Sequence, residues 1–237
     1  VPRPRVPLAE PAPELEASSP AEAAAEMARA GCLVALAPAG PVTLDSLVKL
    51  AAGGRLHSAG LAEAVAALPR VPGRSAASSY ASLGSKYALA PGGALTPRSV
   101  YRAARRALPP AEVAALATPP AVVAPNATLR GALRRMAERG SVCAFVVRAG
   151  RLKGVVDAWT ALLVAAEEGE EGLDAPCGER ARREPVAGSH AEAAEALGRY
   201  GFAALLAGGS TVLIDDVSLH RALVEAGGRL RGLGGGR

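Results

Sequence analysis

Four times along this chain of 237 residues one local pattern returns, so the fold must be built from copies of a single unit. A small or capping residue opens a helix, a large apolar residue follows eight positions later, and a glycine closes the helix four positions after that. The instances are Ser19, Met27 and Gly31; Pro72, Tyr80 and Gly84; Thr128, Met136 and Gly140; and Ser189, Leu197 and Gly201. After each glycine come a short apolar run, a turn, and a second apolar run ending in Thr or Asp. Three residues on stands a Ser or Thr, which gives the pairs Thr43 and Ser46, Thr96 and Ser99, Asp157 and Thr160, and Asp215 and Ser218. The period is roughly 55 residues, the size of one supersecondary unit.

The third copy reads most directly into structure. Val122 and Val123 form a short β-branched strand before Pro125, and Thr128 is suited to cap a helix. Leu129, Ala132, Leu133 and Met136 then make one apolar stripe, with Arg130, Arg134, Arg135, Glu138 and Arg139 facing away. Gly140 suits a left-handed C-cap. Cys143 to Val147 reads as a buried strand, Arg148 to Arg151 as a hairpin turn, Leu152 to Val156 as the return strand, and Ala158 to about Glu167 as a last helix. The order is β-α-β-β-α.

The fourth copy follows the same course through the Gly208-Gly209 turn. The first and second share a nearly superimposable run, Ala35 to Ser46 against Ala88 to Ser99, which points to duplication. The second copy's first helix, Gly73 to Leu83, is Ser-rich and begins with glycine. Helical connectors are expected at Leu61 to Leu68 and Ala111 to Ala117, and a domain boundary near Pro110. Two domains follow, 1–110 with repeats at about 10–54 and 60–108, and 111–228 with repeats at about 115–168 and 173–227. Residues 229–237 read as a flexible basic tail.

A hydrophobic-Thr/Asp-x-x-polar signature where the second hairpin strand meets the last helix, within a β-α-β-β-α unit, resembles the cystathionine-β-synthase (CBS) domain. The resemblance spans nearly the whole chain and is strongest over Thr118 to Ala166, in Val122-Val123-x-Pro-x-x-Thr-Leu-x-x-Ala-Leu-x-x-Met-x-x-x-Gly and Gly150-x-Leu-x-Gly-Val-Val-Asp, and again in Ile214-Asp-Asp-x-Ser-Leu. It implies an α+β fold of four CBS-type repeats arranged as two CBS pairs. It also implies a non-enzymatic regulatory protein that binds an adenosyl ligand (AMP, ADP, ATP or S-adenosylmethionine) in clefts between paired domains and signals to a protein partner. The ligand residues it implies are Thr43, Ser46, Thr96, Ser99, Val122, Val123, Asp157, Thr160, Val186, Asp215 and Ser218. The family's signature places Asp or Asn three residues after the hydroxyl; here those positions hold Ser46, Ser99, Thr160 and Ser218, and Asp157 and Asp215 replace the hydroxyl itself.

Thr43, Thr96, Asp157 and Asp215 each also stand where a helix N-cap is needed, so capping and ligand contact are both open for them. Hydroxyls beside Arg98 in the first pair suit a phosphate. Carboxylates in the second suit ribose hydroxyls or a cationic ligand such as S-adenosylmethionine, so a ligand of low negative charge is expected there. His190 falls on the inner stripe of its helix, and Trp159 reads either as a stacking platform or as a side chain half-buried between repeats.

Composition narrows the setting. Half of the residues are apolar, so the chain is globular; Gln is absent, Asn occurs once and Arg far exceeds Lys, a usage that fits a GC-rich genome and a thermophile. The net charge of +5 permits acidic partners, but the Arg clusters at 102–106, 134–135 and 180–183 are short and lack interleaved aromatics, as solvated faces do. Three cysteines with no CxxC spacing exclude a disulfide scaffold and a zinc site, and no catalytic motif occurs. No run reaches a membrane span and the start is Pro-rich without an apolar core, so a cytoplasmic protein is expected. A scaffold or oligomerisation protein with degenerate pockets, a homodimer, and a nucleic-acid binder are the alternatives.

Overall fold

In the computed structural model, which describes residues 8–72, 76–182, 186–187, 189–207 and 210–232, the capping residues fix where each helix begins. Ser19 accepts a hydrogen bond from the Glu22 N–H and Pro20 presets the first turn of α1 (Pro20–Ala30), which Gly31 closes at φ 63°. The hairpin β1 (Val34–Ala37) and β2 (Gly40–Thr43) leads into α2 (Leu44–Ala52). The second copy runs through α3 (Ala76–Ser82), β3 (Ala88–Ala90), β4 (Gly93–Leu95) and α4 (Pro97–Ala104), followed by the connector α5 (Pro110–Ala115). The third is complete: β5 (Val122–Val123), α6 (Leu129–Arg139), β6 (Cys143–Arg148), β7 (Arg151–Asp157) and α7 (Ala158–Glu167). Two single turns, α8 (Gly169–Gly172) and α9 (Cys177–Arg180), precede the fourth copy, β8 (Val186–Ala187), α10 (His190–Tyr200), β9 (Ala203–Ala207), β10 (Ser210–Ile214) and α11 (Asp216–Glu225). The expected start of the second copy's helix at Gly73, Arg183 and the Gly208-Gly209 turn lie outside the described residues.

The third and fourth copies form three-stranded sheets, β5-β6-β7 and β10-β9-β8, with the short first strand parallel to the first hairpin strand. In the first and second copies that opening strand shrinks to one parallel bridge, Glu14 with Leu36 and Arg70 with Leu89. The reason is proline. Pro11 and Pro13 precede Glu14, Pro69 and Pro72 lie on either side of Arg70, and none of them has an N–H to extend a ladder. Each bridge keeps two hydrogen bonds of 2.8 Å, Leu15 N to Leu36 O and Leu36 N to Pro13 O in one, Val71 N to Leu89 O and Leu89 N to Pro69 O in the other.

The outer hairpin strand of three copies carries one further antiparallel bridge from an incoming segment: Val65 on Val42, Glu10 on Ala94, and Arg182 on Val155. Two of these approaches need glycine. A Cβ at Gly93, where φ is +149°, would strike the Glu10 carbonyl oxygen, and one at Gly154 would lie 2.5 Å from that of Arg182. The connector expected to be helical over Leu61 to Leu68 is thus a 3-10 turn, Leu61–Ala64, followed by extended chain that bridges β2.

Helix packing groups the copies otherwise than the boundary near Pro110 suggests. One compact unit comprises 12–67 and 119–185, the other 1–11, 68–118 and 186–237, so each takes one repeat from 1–110 and one from 111–228. The cause is the apolar stripe on each helix: α1 lies against α7 and α2 against α6 in the first unit, whereas α4 lies against α10 and α11, and α3 against α11, in the second. Tyr80, Val100, Tyr101, Leu197, Leu219 and Leu223 are buried in that second core. Leu230 joins them. The expected free tail therefore does not begin at 229: Arg229–Gly232 is a 3-10 turn, Leu230 is fully buried, and Arg229 pairs with Glu112 at 2.7 Å. Residues 233–237 lie outside the described residues. Among those described, no helix is long and apolar enough to cross a membrane.

Gly93→Ala is expected to destabilise the chain by about 1–3 kcal/mol, because the new methyl meets backbone and not a movable side chain. Urea denaturation measures it; a loss of only a few tenths would mean that the 8–11 segment is not held on β4.

Candidate functional site

At each strand-to-helix junction the residue just before the helix must supply an oxygen to the free N–H groups of its first turn. In the first two copies the junction is a reciprocal capping box. Thr43 Oγ1 accepts from the Ser46 N–H at 3.2 Å while Ser46 Oγ accepts from the Thr43 N–H at 3.3 Å. The Ser46 hydroxyl also lies 2.8 Å from the Thr43 carbonyl and 2.7 Å from that of Ala64. Thr96 and Ser99 repeat the box at 3.2 and 3.0 Å, and both are fully buried. Their hydroxyls are spent within the protein, and those of Thr96 and Ser99 have no surface to offer a ligand.

The phosphate site expected beside them is also closed. Arg98 turns its guanidinium to Glu10, with Nε 2.8 Å from Oε2 and a second hydrogen bond of 3.2 Å to Oε1. Arg102 adds a third contact to the same carboxylate at 3.2 Å, and Glu10 is buried. One acid thus serves two cations in the compact unit that holds the second and fourth repeats.

The third junction differs. Asp157 is 1% exposed, and its Oδ1 accepts from the Thr160 N–H at 2.8 Å. Its Oδ2 lies 3.0 Å from Arg182 Nε. The Arg182 backbone is pinned to Val155 by two hydrogen bonds of 2.9 Å, which places a guanidinium over the helix N-terminus. Its side chain stays 58% exposed, and Thr160 is half-buried. The carboxylate here is therefore accompanied by a cation, which the expectation of a ligand of low negative charge did not include.

At the fourth junction Asp215 Oδ1 accepts from the Ser218 N–H at 2.8 Å, and no cation lies within ion-pair distance of it among the described residues. Burial raises its carboxyl above the ordinary range, the neighbouring Asp216 raises it further, and the Ser218 hydrogen bonds and the Lys86 charge oppose both. Ser218 is fully buried, and its Oγ accepts from the Thr118 N–H at 3.1 Å.

Of the strand residues, Val122 is 43% exposed and Val123 buried; Val186 forms β8, and its side chain lies outside the description. Trp159 is no stacking platform: it is 8% exposed and its Nε1–H donates to the Cys32 carbonyl at 2.9 Å. His190, expected on the inner stripe, is exposed at the first position of α10. All three cysteines are buried, and burial pushes the Cys177 thiol up to about 11. No cluster of three His, Cys, Asp or Glu side chains suited to a metal occurs among the described residues.

Arg182, Glu10, Lys86 and Asp216 are the polar residues that sequence spacing did not single out. Arg182 lies 25 residues beyond Asp157, and Glu10 reaches Arg98 from outside its repeat, so no local pattern joins them.

Residues 112–166 match the family model of the CBS domain. No curated protein matches the chain. Among solved structures it is similar to protein MJ1225 of Methanocaldococcus jannaschii, described as a proposed archaeal homologue of γ-AMPK. The TM-score is 0.68 at 13% identity, over 90% of this chain and 97% of that one. An uncharacterised conserved protein of Pyrococcus horikoshii gives a TM-score of 0.52 at 18% identity, over 80% and 89%. These similarities establish the fold: small mixed sheets flanked by helices, as in CBS-domain structures.

Glu10→Gln is expected to cost about 3 kcal/mol in urea denaturation, since it leaves the nearly buried Arg98 guanidinium, with the partly exposed Arg102 beside it, facing a neutral amide. Asp157→Asn is expected to cost less than about 1 kcal/mol, because its partner is half in water and the amide oxygen still caps the helix. Equal losses would contradict the contrast in burial.

Proposed function

Since the chain carries a CBS domain at residues 112–166, we propose that it is a non-enzymatic regulatory protein that binds an adenosyl ligand at its strand-to-helix junctions and passes the change to a protein partner. The observation that carries this reading is the third junction, inside the matched segment, where Asp157 is held by the Thr160 N–H and accompanied by the half-exposed Arg182. There Asp157 would accept from ribose hydroxyls. The outer nitrogens of Arg182 would meet a phosphate, and the helix N-terminus adds its own partial positive charge. Because Arg182 offsets the carboxylate, one or two phosphates are tolerated, and the preference for a ligand of low charge passes to Asp215, which has no such cation.

The absence of catalysis is part of the proposal and rests on use. The junction hydroxyls and carboxylates are bonded to backbone, and the thiols are buried. The fold shared with the proposed γ-AMPK homologue agrees with a regulatory role. A second reading, a scaffold with vestigial pockets, is favoured by the complete closure of Thr96 and Ser99. Any protein rearrangement must draw its energy from the ligand's unequal affinity for two states.

Calorimetric titration with AMP, ADP, ATP, adenosine and S-adenosylmethionine tests the reading on nucleotide-free protein. Saturable binding is expected, weakened about tenfold (~1.4 kcal/mol) by Asp157→Asn for every ligand, and by Arg182→Ala for the phosphorylated ligands alone. No heat at concentrations able to detect ~100 μM affinity would establish the scaffold reading instead.

A further inference from the structure

The four copies differ sharply at their hairpins. Three of these, within residues 34–43, 88–95 and 203–214, carry no charged residue. The third copy's hairpin, β6 with β7, carries Arg148, Arg151 and Lys153, and all three are exposed. Arg148 stands directly opposite Arg151 in the ladder, so two like charges face each other beside the turn, an arrangement that opposes strand pairing. Val146 pairs with Gly154 and Val147 with Leu152, which leaves Lys153 as the extra residue of a β-bulge. A bulge re-aims the side chain it inserts.

The turn gives the arginines no relief. Ala149 and Gly150 have φ of 49° and 72°, the two positive values that a two-residue type I′ turn requires. Ala149 is the one non-glycine residue with positive φ among those described. Asp or Asn tolerates that conformation better, and Asp would set a carboxylate beside the two guanidinium groups. Alanine brings backbone strain and no acceptor. A segment that gives up stability in its cross-strand pair and in its turn together, with no compensating contact, marks a site that acts on something outside the chain.

Most other arginines of this compact unit are engaged. Arg29, Arg55, Arg130, Arg180 and Arg182 each hold a carboxylate, whereas none of the three hairpin cations does so among the described residues. Arg134 and Arg139 are also exposed, but five residues apart on α6 they point in different directions. Arg151 and Asp157 stand at opposite ends of β7, about 20 Å apart, so the tip is out of reach of a small ligand held at the third junction.

We propose that the tip of the β6–β7 hairpin, with Arg148, Arg151 and Lys153, is the docking site for an acidic segment of a partner protein. Charge complementarity identifies the occupant, since cations gathered at one hairpin tip match a short run of Asp or Glu. A nucleic acid fits less well: the tip carries no aromatic residue on which a base could stack, and so few cations neutralise only a small part of a duplex site. A second copy of this chain is a poorer source, because Glu167, Glu168, Glu170 and Asp174 of its acidic run are already paired with arginines. The proposal rests on the regulatory reading for the existence of a partner and gives that partner its chemistry. Partner and ligand would then meet the two ends of one strand, β7.

Fluorescence anisotropy of a labelled oligoglutamate peptide, titrated with the full nucleotide-free chain at low salt, tests the site. Saturable binding is expected, weakened about tenfold by Arg148→Ser with Arg151→Ser and less than about twofold by Arg134→Ser with Arg139→Ser, which removes the same charge from α6. Ala149→Asp separates docking from architecture. It should raise the urea midpoint, by relieving the turn and pairing the arginines, and yet weaken the peptide about tenfold. A labelled DNA duplex should bind without dependence on the hairpin arginines. Absence of saturable peptide binding, equal weakening by the two double variants, or unchanged binding in Ala149→Asp would overturn the proposal. So would a duplex that binds tighter than the peptide and loses as much with the hairpin variant. No nucleotide is present, so a chain that binds nucleotide and ignores the peptide fails here alone.

Discussion

A strand that becomes a helix with at most one residue between them must satisfy the first helical N–H groups from the side chain at the junction, and the rest of this molecule is arranged around that demand. It recurs at Thr43, Thr96, Asp157 and Asp215, all at most 4% exposed. Only a short side chain with an oxygen can serve in so confined a place, which is why Thr stands there in the first two copies and Asp in the last two. The same oxygen cannot be wholly given to a ligand while it holds the helix. What the cap leaves over differs between the copies: at Asp157 the second carboxylate oxygen, which faces Arg182, and at Thr96 no exposed surface.

Buried acids expose a second regularity. Among the described residues Glu10 is shared by two arginines, Asp157 meets an arginine half in water, Asp216 holds Lys86, and Asp215 meets no cation. Each arrangement carries a different consequence. The doubly held acid fastens the 8–11 segment to its unit, the half-wet pair leaves a guanidinium available at the surface, and the unaccompanied carboxyl becomes easier to protonate.

The repeat and its helix ends were legible because caps and closing glycines act within a few residues: Ser19 with Glu22, Thr128 with Gly131, and left-handed Gly31, Gly140 and Gly201 all follow from local chemistry. The CBS resemblance rested on the same short patterns and is matched over 112–166. What could not be read depends on approach from a distance. Nothing near Gly93 announces that Glu10 will cross it, and nothing near Asp157 announces Arg182. Which helix faces which is likewise invisible, since every apolar stripe of Ala and Leu fits every other about equally well, and shape decides. The tail failed for a related reason: one leucine, Leu230, suffices to anchor a turn that composition describes as loose.

The interleaving of the compact units has a consequence for synthesis. A chain emerging from the ribosome usually folds each domain as soon as its residues are available. Here the first repeat finds its helical partner only after 119–185 has been made, and the second waits for the segment beyond 185. Until then the Ala- and Leu-rich faces of α1, α2 and α4 have no helix to cover them. Contacts so distant in sequence slow folding and lengthen the interval in which apolar surface is open to other chains. The protein is thus one whose early segments need shelter while they are made, and neither half of its sequence is a natural place to cut it.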